Sequence, residues 1–359
     1  MSRSVLAAFS DNGMQRRAIE CWSLLESSGS IDQDTGSAID WRNARGRKWR
    51  LAYWGLRPGT RDHRETLVLA MHLHLAPVAL PLIARGAKLA VFLHGIEAWK
   101  RLAGLRKLAV SRAWQVIGNS NYTIRRFQSV NPECARSSIG VCHLGISRRA
   151  AEPAEPAFGA APLGPFALVV GRMAAEERYK GHDLLIDMWP RMVSEFPAAS
   201  LVIAGEGDDR ERLEAKAARL GLGEKIKFLG KVSDEVLATL YRDCAFFVMP
   251  SSDEGFGLVF LEAMRSGKAC IGASGAASEV ISDGVTGIIV KPAESEEVFN
   301  AVLRLFREPE LRKQMGRAGA ARFVSHFTDD HFRKRLCSSL ALESHVEDLS
   351  IMGSAAYYL

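Results

Sequence analysis

Nowhere in this sequence do apolar residues run unbroken for the about 20 positions that a membrane-spanning helix requires. The most apolar region, Leu67 to Leu93, is interrupted by His72, His74, Arg85, Lys88 and two prolines. Cysteines are few and scattered: the six in 359 residues (Cys21, Cys134, Cys142, Cys244, Cys270, Cys337) form no CxxC pair and no regular spacing. That excludes a disulfide framework and a zinc knuckle, and it fits a reducing cytoplasm. The opening MSRSVLAAFSDNG has too short an apolar stretch for a signal-peptide core, and no small-residue cleavage site follows it. It reads as a first buried strand. The GEGDDR that follows LVIAG lacks the third glycine of a dinucleotide fingerprint and does not lie in the first strand–helix turn.

Acidic residues are scarce in the first 150 positions, where 10 Asp and Glu face 23 Lys and Arg; the remainder holds 31 against 24. The two parts therefore carry +13 and −7. A basic half suits phosphate-rich partners such as anionic lipid head groups, a lipid diphosphate or nucleic acid. Nucleic acid is set aside, because the cations are not interleaved with a recognised binding motif. The expected location is the cytoplasm, with peripheral contact at the anionic inner face of the plasma membrane.

The length exceeds one ordinary domain, and the 47% hydrophobic content can fill two cores. Between Arg149 and Pro165 runs RAAEPAEPAFGAAPLGP, which has no hydrophobic periodicity and reads as an interdomain linker. The division is 1–150 for an abbreviated N-terminal domain, 151–164 for the linker, 165–327 for the C-terminal domain, and 328–359 for a helix and tail crossing back to the first domain. After the linker, short apolar runs (FALVVG, SLVIAG, KIKFLG, AFFVMP, ACIGA) alternate with amphipathic segments. That is the pattern of a parallel sheet covered by helices on both faces. Ser233 is placed as an N-cap with Val236 as the first core contact, and Gly221 and Gly267 as left-handed helix ends. In the first half, strands are expected at SVLAAF, ETLVLAMHL, LAVFLHG and WQVIGNS, with helices around residues 13–27, 76–85 and 121–130. Residues 28–64 are assigned to no element.

The most specific constellation is PSSDEGFGLVFLEAMRSG (250–267), in which a strand ends, a glycine-containing loop follows, and a helix begins near Gly257 or Leu258. Ligands of open parallel sheets bind at such strand ends. The free N–H groups and positive dipole end of the helix suit a diphosphate. Glu254 in the loop and Glu262 in the second helical turn present two carboxylates that can accept hydrogen bonds from sugar and ribose hydroxyls. In GRMAAEERYKGHD (171–183), Arg172 follows a strand and Lys180 precedes the next helix. Two cations there would neutralise a departing nucleoside diphosphate. Either pair alone also fits ordinary surface charges; their coincidence at one sheet edge favours a site. His72 and His74, on one face of a strand, are not read as metal ligands with His94, since alternation explains the spacing and no carboxylate or cysteine accompanies them.

GR followed by KG, then IAGEG, EGFGLVFLEAMRSG and ASEVISDGVTGIIV together resemble the C-terminal domain of family-four retaining glycosyltransferases. The likeness is strong over about 165–330, and its centre is the glutamate pair Glu254 and Glu262, separated by seven residues. The resemblance implies a GT-B fold, two Rossmann-like parallel-sheet domains facing across a cleft. It implies that Arg172 and Lys180 bind the donor diphosphate and that Glu262 holds the ribose. Glu254, Phe256, Gly257 and Leu258 would surround the sugar and phosphate, and the nucleobase would lie near Val232. The first half is similar more loosely: Gly13 matches a glycine loop meeting donor and acceptor, His94 a histidine facing the transferred sugar, and Ser120 the edge of the crevice.

Residues 28–64 are shorter than the family norm, which implies a reduced acceptor pocket. The expected reaction is retaining hexosyl transfer, with mannose from GDP-mannose as the preferred donor and a glycan or polyprenyl-diphosphate-linked sugar as acceptor, in exopolysaccharide synthesis. Arg and Lys neutralise the leaving group in this family, so neither a metal nor another cofactor is expected. The alternatives are a non-catalytic nucleotide-sugar-binding subunit and another GT-B enzyme such as a sugar epimerase or phosphorylase.

Overall fold

A computed structural model of the chain describes residues 18–23, 39–56, 64, 66–134, 138–152, 164–340 and 348–353. The chain divides into two compact units, Met1–Leu144 with Asp329–Leu359, and Gly145–Thr328. Each has its own parallel sheet.

In the first unit the strands are β1 (Ala18–Ser23), β2 (Ile39–Asn43), β3 (Thr66–Ala70), β4 (Lys88–Leu93), β5 (Gln115–Gly118) and β6 (Ser138–Val141). The second unit holds β7 (Phe166–Val170), β8 (Ser200–Ala204), β9 (Ile226–Gly230), β10 (Phe246–Met249), β11 (Cys270–Ala273) and β12 (Gly287–Val290). The last strand, β13 (Asp348–Gly353), returns to the first sheet, whose order is β2-β1-β13-β3-β4-β5-β6.

Strands β3, β4 and β5 are almost wholly apolar because both of their faces are covered. Val68, Val91 and Val116 join Leu73, Leu82 and Phe127 in one cluster. The Asn121–Val130 helix starts at Ser120, whose hydroxyl accepts from Thr123 N at 3.0 Å, and it buries Ile124 and Phe127. In the second unit Trp189, Phe246, Ile203 and Phe306 share a core. The Ser295–Arg307 helix covers it with Val298, Phe299, Val302, Leu305 and Phe306, a 3–4 spacing that makes a single buried stripe.

Several expectations are revised. Residues 18–23, expected within a helix, form strand β1, which pairs with β2 on one side and β13 on the other. His72 and His74 are not on a strand: β3 ends at Ala70, and the His72 side chain caps the 3-10 helix Leu73–Ala79 by accepting from His74 N. The expected 76–85 helix is that 3-10 turn followed by one short α-turn, Leu80–Ile83, with Pro77 inside the first and Pro81 starting the second. The strand expected at SVLAAF lies outside the described residues.

Candidate active site

The second sheet runs β12-β11-β10-β7-β8-β9. The chain proceeds from β7 outward through β8 and β9, then crosses back to lay β10 on the other side of β7. That reversal opens a crevice beyond the C-terminal ends of β7 and β10. The two segments that emerge there are the 171–181 loop and the 250–257 loop.

The first loop is clamped by the 206–209 segment. Met173 N donates to the Glu206 carbonyl at 2.8 Å, Asp209 N to the Met173 carbonyl at 2.9 Å, and Ala175 N to Asp208 Oδ1 at 2.8 Å. The 3-10 turns Ala175–Lys180 then fold Glu177 inward until it is 7% exposed. Its carboxylate joins both cations of the motif: Arg172 Nη2 donates to Oε1, and Lys180 Nζ lies 2.9 Å from Oε2. One buried carboxylate thus aligns two positive groups, while Arg172 remains exposed.

Ser252 N donates to the Tyr179 carbonyl at 2.9 Å, tying the two loops together. At the junction Gly181 has φ +86°, and a Cβ there would stand 2.8 Å from Pro250 Cγ. Only glycine allows both the left-handed backbone and this approach.

In the second loop, Glu254 accepts from the backbone N–H groups of Gly255, at 3.1 Å, and Phe256. Burial raises the pKa of its carboxyl against the opposing pull of Lys180 and those two N–H groups. Phe256 is buried. Gly257 caps the Leu258–Arg265 helix with φ +89°, so Leu258 opens a helix whose first N–H groups have no partner within it. One turn further in, Glu262 Oε2 accepts from Tyr241 Oη at 2.8 Å. Burial also pushes the Glu262 carboxyl upward, with Tyr241 acting against it. Tyr241 comes from the Asp234–Asp243 helix, which Ser233 caps by accepting from Val236 N at 3.4 Å. Val232 is half-buried in the turn just before that cap.

Arg172, Lys180, Glu254, Phe256, Gly257, Leu258 and Glu262 therefore gather around one switch point. His94 belongs to the other unit, at the end of β4. Its Nε2 lies 2.6 Å from the Met71 carbonyl, which can only accept, so this nitrogen carries the proton. Burial lowers its pKa, making the ring neutral. Its backbone is fixed by Glu97 Oε1, which accepts from His94 N, and by Asn119, which donates to its carbonyl, each at 2.6 Å. Ser120 is fully buried and serves as a helix cap. Gly13 lies outside the described residues.

Sequence reasoning did not find Glu177, Tyr241, Asp208 or Asp209. The i,i+3 spacing of Glu177 to Lys180 was a usable signal; Tyr241 had none, because its partner is 21 residues away.

The model of the family described as glycosyl transferases group 1 matches residues 156–322. Alpha-D-kanosaminyltransferase from Streptomyces kanamyceticus is 33% identical over 44% of this chain and 40% of its own length, so the chain matches that relative over about two fifths of it. The GDP-mannose-dependent alpha-(1-6)-phosphatidylinositol monomannoside mannosyltransferase of Mycolicibacterium smegmatis is 30% identical, with 68% of both chains covered. Among solved structures, HepE of Anabaena in complex with UDP and glucose superposes with a TM-score of 0.72 at 20% identity, covering 94% of this chain and 95% of that one, a likeness of fold. Given the matched model and the reach of the Mycolicibacterium relative, this chain belongs to the glycosyl transferases group 1 family.

Proposed function

We propose that the chain is a retaining hexosyltransferase that takes mannose from GDP-mannose and passes it to a glycan or polyprenyl-diphosphate-linked acceptor in polysaccharide synthesis. The observation that carries the proposal is the pairing of Arg172 and Lys180 through buried Glu177, beside Glu254 and the start of the Leu258–Arg265 helix. Such an array offers two cations and free backbone N–H groups to a diphosphate, and two carboxylates to hydroxyls. The choice of GDP-mannose leans on the Mycolicibacterium relative, whose name specifies it.

In the proposed reaction the acceptor oxygen bonds to the anomeric carbon from the face that the leaving group vacates. The bond from that carbon to the phosphate oxygen breaks, and the departing phosphate takes the acceptor proton. Arg172 and Lys180 offset the charge that builds on the phosphate, so the step is proposed to need no metal. Glu254 orients the sugar and Glu262 the ribose. His94, neutral and held by Met71, is proposed to face the sugar. The enzyme is proposed to work in the cytoplasm against an anionic membrane, consistent with its +13 first part.

Thermal-shift measurements with GDP, UDP, ADP and their sugars, with and without magnesium, test this. A rise in Tm with GDP and GDP-mannose that is independent of magnesium is expected. A response to UDP alone would replace the donor, and no response to any nucleotide would remove the donor site.

A further inference from the structure

Nine large apolar side chains are exposed among the described residues, and six of them fall between positions 49 and 108. Trp49, Tyr53 and Leu56 are 61%, 58% and 61% exposed on the Lys48–Leu56 helix. Their spacing of four and three puts them on one stripe. The opposite side of the same helix holds it to the fold: Leu51 is buried, and Trp54 meets Trp22 edge-on at 6.1 Å. The outward stripe is therefore not a misplaced core face. The Gly104–Ser111 helix repeats the arrangement, exposing Leu105 at 62% and Leu108 while it buries Ala109 and Val110.

Charge marks the same two elements. Positions 42–56 contain Arg42, Arg45, Arg47, Lys48 and Arg50, and positions 100–112 contain Lys100, Arg101, Arg106, Lys107 and Arg112; neither stretch has a carboxylate. Among the described residues, Lys107 pairs with Glu133, whereas the side chains of Arg45, Arg47, Arg101, Arg106 and Arg112 make no ion pair. Arg50 lies 5.6 Å from the Trp49 ring. Both helices pack against the 3-10 helix Leu73–Ala79, which spans about 14 Å at roughly 2 Å per residue. The two helices therefore lie on the same side-chain cluster of one unit, each packed against that 3-10 helix.

We infer that this face of the first unit is a docking surface for an anionic lipid bilayer. Trp49, Tyr53, Leu56, Leu105 and Leu108 enter the head-group layer, and the surrounding arginines bind lipid phosphates. Trp and Tyr favour the membrane–water interface because an apolar ring meets a polar edge there. Cations without carboxylate partners add attraction to a negative leaflet. Isolated exposed apolar residues need no explanation, but two exposed stripes on helices that pack against one 3-10 helix, each beside arginines that make no ion pair among the described residues, match an interfacial helix pair. The inference gives particular residues to the membrane part of the function proposed above and is independent of the donor site.

Sedimentation with phosphatidylcholine vesicles, with and without phosphatidylglycerol, tests it without any substrate. The full chain is expected to co-sediment with the anionic vesicles only, and added salt should weaken the binding. The triple variant Trp49→Ser, Tyr53→Ser, Leu105→Ser should lose about tenfold in vesicle affinity, and so should Arg45→Glu with Arg101→Glu, without a change in Tm. Both sets replace exposed side chains, and Arg45→Glu/Arg101→Glu checks the surface independently of the apolar residues. Equal binding of wild type and both variants, or no preference for phosphatidylglycerol, would overturn the assignment. Tighter binding to a single-stranded oligonucleotide than to vesicles would give the face to nucleic acid. A concentration-dependent dimer dissolved by the triple variant would give it to a second copy of this chain. Failure of any of these arms leaves the nucleotide thermal shift unaffected, so the two readings stand or fall separately.

Discussion

Glu254 and Glu262 are held above the ordinary carboxylate pKa by burial, while Asp183, gripped by Arg212 and Lys216, is lowered to about 2, and Asp209, between Arg212 and Arg178, is lowered too. The two groups act in opposite directions with pH. A carboxyl raised in the folded state contributes stability below its unfolded value, about 4.3 for glutamate, and that contribution is lost as pH rises through the folded value. A lowered carboxyl contributes above its unfolded value, about 3.9 for aspartate, and its contribution is lost as pH falls through the folded one. From neutrality down to the unfolded glutamate value, about 4.3, the two raised glutamates favour folding, whereas buried His72 and His182, each lowered to about 4, and His94, lowered as well, oppose it, because these rings take up protons only when unfolded. Acidification across that range should favour the folded state through these two groups and weaken nucleotide binding, because a protonated Glu262 accepts hydrogen bonds less well. Titration calorimetry with GDP from pH 7 downward checks this, and Glu262→Gln should flatten the affinity profile; a profile as steep in that variant assigns the dependence elsewhere. Glu254→Ala should lower transfer at least about a hundredfold, the scale of losing an orienting or charge-stabilising group, yet keep most nucleotide affinity, since Arg172, Lys180 and Glu262 remain. Lost nucleotide binding in a folded variant would move Glu254 from sugar to nucleotide.

At the level of elements, the loop 171–181 is shaped by what it packs against. Gly181 turns it with φ +86°, and a methyl group there would meet Pro250 Cγ at 2.8 Å and the Pro250 carbonyl at 3.0 Å. Gly181→Ala must hold an L-residue in the left-handed region, at about 1–2 kcal/mol, or shift the loop. A shift of the loop moves Lys180, the adjacent residue. The expected result is a Tm lowered by several degrees, together with weaker nucleotide binding; an unchanged Tm and affinity would show that the loop tolerates the shift.

The same elements show what the sequence makes legible. Five of the six strands of the second unit stood out because each is a short apolar run bounded by polar or glycine turns, whereas β12 was not assigned, and the switch-point loops carry Arg172, Lys180, Glu254 and Glu262 at recognisable spacings. Strand β1 did not, because AIECWS mixes polar and apolar residues and becomes a strand through pairing with β2 and β13, both distant in the chain. Glu177 was hidden for a different reason: its i,i+3 spacing to Lys180 suits an ion pair, but in a run of charged residues that spacing does not tell which carboxylate the 3-10 turns will fold inward. Tyr241 was hidden because its contact with Glu262 joins two helices that only the sheet brings together.

For the whole molecule, the arrangement that most constrains folding is the return of β13 to the first sheet. Residues 348–353 pair along β1, and 348–352 along β3, so a segment near the chain end lies between strands formed from the first 70 residues. Closing so long a loop costs little more than closing a moderate one, since the entropic penalty grows only logarithmically. Its loss would cost much more: β1 and β2 would separate from β3, whose facing backbone N–H and C=O groups would lose their partners. The second unit lacks this dependence, with its own six-stranded sheet and a core around Trp189, Phe246 and Phe306. A chain ending at Leu340 should therefore lose the thermal transition of the first unit while retaining that of the second. Every residue proposed to hold the donor, except His94 and Gly13, belongs to the second unit, so the nucleotide-dependent Tm rise should survive the truncation. Calorimetry on both chains, with and without GDP, checks each half of this expectation. If both transitions persist, β13 is an accessory to the first sheet; if both vanish, the second unit depends on the first for its stability.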